Sequence, residues 1–280
     1  MINLPPPAVG PAFHGDAVLS GVPFTEADCD GLGRLRVEVD GSPDCLRFYG
    51  DIGTSRLNPV VFLEGDVVTR DGDGVGWRVI DIYTQLSPDL LQREAAQYAA
   101  ASTRTFINLA RPGVFGSTGH HLQRRREREV ALVDRALDRL KEQFGWNRID
   151  LAGQSGGGHL VAALLGRRTD IDHAVIASGA VAVRERLRER GLTFDVTGYA
   201  DFVDPIDLVP LVASHPPAKV VLLTDPRDRV NPATTQTAYF EALRRHGINA
   251  EQRWVMAVGP DHHRLRLAAI IAALACRAGE

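Results

Sequence analysis

Along most of the chain, short apolar runs alternate with longer segments whose apolar residues recur every three or four positions. The apolar runs are VVFLEGD from residue 60, TFINLA (105–110), IDLAG (149–153), HAVIASG (173–179), KVVLLTD (219–225) and QRWVMAV (252–258). None alternates inward and outward residues, so they read as strands buried on both faces of a parallel sheet. Helical spacing covers 88–101, 124–143, 157–166, 233–246 and 264–275. Val130, Leu132, Val133, Ala136 and Leu140 form an apolar stripe in the second of these. In the last, Leu267, Ile270, Ile271 and Leu274 are expected on one face, and Gly247 stands as a C-terminal cap for the helix before it. Alternating strands and helices predict an α/β protein, with a mainly parallel central sheet and helices on both faces.

Two earlier runs, GRLRVEVD and CLRFYGDIG, alternate partially around Gly41-Ser42-Pro43-Asp44 and predict an antiparallel pair. Pro5, Pro6, Pro7 and Pro11 predict an extended arm. No linker divides the chain, so residues 1–280 read as a single domain. Residues 180–217 are too long for a simple crossover. VRERLRER and DPIDLVPLV within them predict short helices in a small cap insertion above the C-terminal ends of the strands.

Composition narrows the function classes without choosing one. A net charge of −3, from 32 basic and 35 acidic residues, argues against a dedicated nucleic-acid binder. The run LAAIIAALAC is too short to span a bilayer, and the first twenty residues lack the pattern of a secretory signal. A cytoplasmic protein without a membrane partner is expected. Cys29, Cys45 and Cys276 are odd in number and fit neither a zinc site nor a redox pair, so no disulfide framework is expected.

The chemistry begins at Gly153-Gln154-Ser155-Gly156-Gly157, a G-x-S-x-G motif directly after a buried run and directly before a helical one. A strand–turn–helix of this kind can lift a serine hydroxyl clear of the sheet, provided no β-carbon crowds the turn. The following helix aims unpaired N–H groups at charge developing beside the serine. Two aspartates, Asp225 and Asp228, follow the fifth apolar run, and two histidines, His262 and His263, follow the last.

From about residue 44 onward these features resemble the α/β-hydrolase superfamily. GQSGGG with its apolar helix and the TDP-x-D segment look closest to the prolyl-oligopeptidase-like and dienelactone-hydrolase-like branches. The resemblance implies a Ser155 nucleophile with an acid and a histidine following in that order. Asp228-Arg229-Val230 is similar to the family's D-x-V, which favours Asp228 over Asp225. His263 with Leu265 is similar to the family's H-G-[FL], with His262 as the alternative base. Asp261 reads as a helix cap. The resemblance places the oxyanion hole at the backbone N–H groups of Gly156 and Asp66. Where the family has His-Gly, this chain has Glu64-Gly65-Asp66, and those carboxylates could instead receive a cationic substrate group.

Arg111-Pro112-Gly113-Val114-Phe115-Gly116 resembles a loop of bacterial relatives of acyl-peptidases. His120 and His121 beyond it read first as solvated loop residues and second as pocket lining. Arg124-Arg125-Arg126-Glu127-Arg128 reads as a solvated helix face.

Three functions follow from the resemblance. They are hydrolysis of carboxylic esters, peptidase action on short peptides or acyl-amino acids, and a catalytically silent binding fold. The expected partner is a small ester or short peptide. No metal or organic cofactor is expected, and a homo-oligomer is left open.

Overall fold

The computed structural model describes residues 11–51, 59–70, 76–102 and 104–276. The expected arm at Pro5, Pro6 and Pro7 lies outside them. After α1 (Gly15–Ser20), β1 (Arg34–Val39) and β2 (Ser42–Asp51) form the antiparallel pair. Their turn is Asp40-Gly41, one step earlier than the Gly41–Asp44 turn expected. Both residues have positive φ, 51° and 72°, which suits a two-residue hairpin turn and leaves Ser42, Pro43 and Asp44 in the strand.

Next come β3 (Val60–Leu63), a two-stranded antiparallel arm of β4 (Val68–Arg70) and β5 (Trp77–Val79), α2 (Pro88–Ser102) and β6 (Phe106–Leu109). The second half contains α3 (Glu127–Phe144), β7 (Ile149–Gln154), α4 (Gly156–Leu165) and β8 (Ile171–Ala177). It continues with α5 (Val183–Glu189), α6 (Val209–Ser214), β9 (Lys219–Thr224), α7 (Ala233–Arg245), β10 (Ala250–Trp254) and α8 (Arg266–Ala275).

Eight strands form one sheet in the order β1-β2-β6-β3-β7-β8-β9-β10, and the pairs from β6 to β10 are all parallel. Period-two geometry sorts each strand's side chains between two cores. Val61 and Leu63 join α3, α4 and α7, whereas Val60 and Phe62 join α2 and α8. Burial on both faces explains why these strands show no inward–outward alternation.

The expected apolar stripe of α3 is buried throughout. That of α8 is shifted. Ala269, Ile270 and Ala273 face the sheet, with small residues at the contact, while Leu267 and Ile271 point outward. The helix begins only at Arg266, so Asp261 does not cap it; the N-cap is Leu265. The last apolar run also differs from expectation. β10 is the sheet's outer strand, and Trp254, Met256 and Val258 are exposed.

Cys29 and Cys45 form a single disulfide, where no disulfide framework was expected. A lone pair sixteen residues apart carries no framework pattern; the fold brings the short helix Glu26–Cys29 beside β2. Residues 180–217 contain α5, a 3₁₀ turn (Pro205–Leu208) and α6. Asp204 ties this segment together by accepting the backbone N–H groups of Val183 and Arg184. Among the described residues, no helix is long and apolar enough to cross a membrane.

Candidate active site

The residues singled out above converge where the parallel strands end, the usual place for a site in such sheets. Ser155 sits between β7 and α4 with φ 57° and ψ −116°, a conformation costly for any residue with a β-carbon. The surroundings impose it. Its N–H donates to the carbonyl of Ala177, and its own carbonyl accepts the N–H of His159 in the first turn of α4. A β-carbon at Gly153 would strike the backbone of Gly157, and one at Gly157 would strike the carbonyl of Leu63. The motif glycines are therefore packing requirements of the turn.

His263 and Asp228 complete one flank. His263 Nε2 lies 2.8 Å from Ser155 Oγ. Its Nδ1 lies 3.0 and 2.9 Å from the two carboxylate oxygens of Asp228. A proton on Nδ1 donates to the carboxylate and leaves Nε2 free to accept from the serine hydroxyl. Asp228 is held by the backbone N–H groups of Val230 and Asn231, and Gln154 donates to the carbonyl of His263. The alternatives lie apart from this line. Asp225 accepts the N–H groups of Arg227 and Ala257, and His262 Nδ1 is 3.5 Å from it.

The other flank is the loop after β3. A β-carbon on Gly65 would lie 3.3 Å from Cβ of Ser155, so this loop packs directly against the serine. Both carboxylates beside Gly65 are engaged within the protein. Glu64 accepts from Asn108 and Arg266. Asp66 accepts from Arg111 at 2.8 Å, Arg124 at 3.0 Å and Arg125 at 2.8 Å. Burial alone would raise the Asp66 pKa, but Arg124, Arg125 and Arg111 hold it well below the usual carboxylate range.

Those arginines continue inward. Arg111 pairs with Glu129, Arg125 with Asp195, and Asp195 with Arg186. Arg186 donates to Asn231, whose side chain also donates to the carbonyl of Ser178. Since the Asn231 N–H donates to Asp228, the network runs from the acid loop through residues 186–195 to the loop beside Ser155. On the β4–β5 arm, Trp77 lies against the guanidinium groups of Arg70 and Arg124, at 3.9 and 4.6 Å from its ring centre.

This corrects two expectations. Arg124 and Arg125 are buried ahead of α3 instead of forming a solvated helix face, because the helix starts at Glu127. His121 is buried, not solvated, and its Nε2 accepts the N–H of Val67. Burial, with Arg111 and Arg124 nearby, lowers its pKa well below the ordinary histidine value, so it is neutral. His120 is half-buried, and its ring accepts the N–H of Leu122. Arg186, Asp195 and Asn231 were missed, because no local motif marks them; Arg111 was singled out only as the start of its loop, and its pairing with Asp66 and Glu129 was not foreseen. Among the described residues, no cluster of His, Cys, Asp or Glu could hold a metal ion.

No protein-family model matches the chain, and no curated protein matches it. Solved structures do. The chain is similar to Est1E from Butyrivibrio proteoclasticus, with a TM-score of 0.56 and 13% identity over 86% of this chain and 96% of that one. The Pyrococcus furiosus esterase Pf2001 matches with a TM-score of 0.58 and 13% identity over 90% of each chain. Pyrococcus horikoshii acylaminoacyl peptidase matches with a TM-score of 0.55 and 13% identity, over 82% of this chain but 38% of the peptidase. The chain has the α/β-hydrolase fold, and its structural neighbours are hydrolases.

Proposed function

We propose that the protein is a serine hydrolase that cleaves carboxylic esters through an acyl-enzyme. The observation that carries this is the line from Ser155 Oγ through His263 to Asp228, with contacts of 2.8 and 2.9 Å. His263 Nε2 takes the hydroxyl proton as Oγ attacks the carbonyl carbon, and Asp228 stabilises the resulting imidazolium. The proton then passes to the departing alcohol. Water, deprotonated by the same nitrogen, attacks the acyl-enzyme and releases the acid.

The oxyanion is received by the backbone N–H groups of Gly156 and Asp66. The negative charge of Glu64-Gly65-Asp66 does not oppose this. Asp66, Glu129 and Asp195 face Arg111, Arg124, Arg125 and Arg186, three carboxylates against four guanidinium groups. Glu64 shares Arg266 with Glu94, so with this cluster counted five carboxylates meet five guanidinium groups, and the loop beside Ser155 sets no net negative charge against a developing anion.

The same pairing removes the support for a peptidase. Glu64 and Asp66 would suit a substrate ammonium only if uncommitted, and both are committed to arginines. Est1E with bound ferulic acid gives a lead for substrate screening, since hydroxycinnamate esters pair an aryl acid with an alcohol.

A fluorophosphonate probe, with rates on p-nitrophenyl esters and aminoacyl amides, tests the proposal. Labelling of the folded protein that disappears in Ser155→Ala, with esters turned over faster than amides, is expected. Absence of labelling points to the silent binding fold, and faster amide turnover to a peptidase.

A further inference from the structure

The sheet ends on β10, an outer strand with exposed apolar residues. Trp254, Met256 and Val258 are 58%, 78% and 72% exposed, and they sit at alternate positions. Trp254 closes β10, and Met256 and Val258 lie in the segment that continues it; an open strand edge flanked by exposed apolar side chains is a place for another chain to pair.

The hydrogen bonds show which groups are open. Asn249 O accepts from Val220 N, and Val255 N donates to Thr224 O. Both odd-numbered residues therefore face β9. In a parallel pair the facing alternates, so the backbone N–H and C=O of Ala250, Gln252 and Trp254 face away from the sheet.

The charges then select a register. Glu251 and Arg253, both facing β9 through their backbones, project from the same side of the sheet, 39% and 46% exposed at their side chains; within the chain they pair with each other at 2.7 Å, and Glu251 pairs with Lys219 at 2.8 Å, so charges on a facing strand would join these pairs. A two-fold axis at Glu251 would oppose two glutamates, and one at Arg253 two arginines. An axis at Gln252 sets Glu251 of each chain opposite the partner's Arg253, twice. It also sets Gln252 opposite the partner's Gln252 as a hydrogen-bonded pair, with Trp254 opposite the partner's Ala250.

We propose that β10 joins two copies of this chain into an antiparallel two-fold dimer centred on Gln252. The central sheet runs on into the second copy. The interface strand leads directly into the histidine loop, because Val258 and Arg264 exchange backbone hydrogen bonds at the neck of the segment carrying His263. The contact does not depend on the chemistry assigned to Ser155, and Ser155→Ala pairs as the native chain does.

Sedimentation and light scattering across a concentration series test the pairing. The native chain is expected at twice its 30.5 kDa mass. Glu251→Arg and Arg253→Glu each place like charges opposite one another twice, and each raises the dimer dissociation constant by about tenfold or more. Mixing these two variants restores pairing, because one then carries two arginines and the other two glutamates. Their intrachain contacts remain repulsive, so recovery on mixing reports only the contact between chains. A native chain at monomer mass throughout, or variants that stay apart when mixed, overturns the proposal. If either variant fails to fold, hydrogen exchange of the native chain decides. Gln252 and Trp254 amides should gain protection with concentration, and unchanged exchange overturns the pairing.

Discussion

On one side of Ser155, Asp228 is held by its neighbours' backbone, the N–H groups of Val230 and Asn231, and His263 by a single neutral hydrogen bond from the Gln154 side chain to its carbonyl. On the other side, the loop of Gly65 and Asp66 is held by buried ion pairs reaching Arg111, Arg124 and Arg125, and through them Glu129 and Asp195. The difference teaches what each side can tolerate. A group held by its own neighbours can be changed with little effect on the fold. A group inside a dry ionic network cannot, since removing one partner leaves an opposite charge buried and unpaired.

The largest effects expected are on activity. His263→Ala should lower kcat by roughly 10⁴-fold or more, and Asp228→Asn by about as much, because the neutral amide no longer holds the reactive tautomer. Melting temperature in His263→Ala should change little. A large fall there would erase the contrast between the two sides.

Asp195→Ala comes next and should act on stability. It strips a carboxylate from Arg125 and Arg186, at a cost of about 3–5 kcal/mol in denaturant unfolding. A cost near zero would mean that water reaches the network and that the two sides are alike.

Acid should act through the same residues. Asp66 and Asp195 have folded-state pKa values below the ordinary one, despite burial, because arginines surround them. Their stabilisation is complete above the unfolded-state value, about 4, and is lost as pH falls through the lower folded-state values. Melting temperature should therefore drop on acidification, and Asp195→Asn should flatten that drop. An equally steep drop in the variant would move the acid sensitivity elsewhere.

The smallest effect belongs to His262→Ala, with kcat expected within about threefold of native, since its ring does not approach Ser155. A loss matching that of His263→Ala would reverse the roles of the two histidines.

The same contrast governs what could be read from the chain. The parallel strands and most helices were legible because burial on two faces and 3.6-residue periodicity are local properties. So was the serine turn, whose glycine pattern is local even though Gly157 makes room for the carbonyl of Leu63 on the neighbouring strand. The choices at Asp225 or Asp228, and at His262 or His263, stayed open because both members of each pair share a loop and only side-chain direction separates them. The ionic network was not legible at all. Arg124 and Arg125 look like any basic run until Asp66 and Asp195 arrive from elsewhere in the chain. Cys29 and Cys45 are a further case, paired by the fold and not by a spacing rule.

The chain of contacts from Asp66 to Asn231 has a consequence in time. Its members lie far apart in sequence, so it closes only after β3, α5 and the segment beyond β9 have all been brought together. Contacts that span so much chain carry a large loop-closure cost and tend to form late. The serine turn can therefore be complete while the loop beside it is still unplaced. The protein would acquire its architecture first and its competence last, and Asp195 substitutions should speed unfolding while leaving the folding rate nearly untouched.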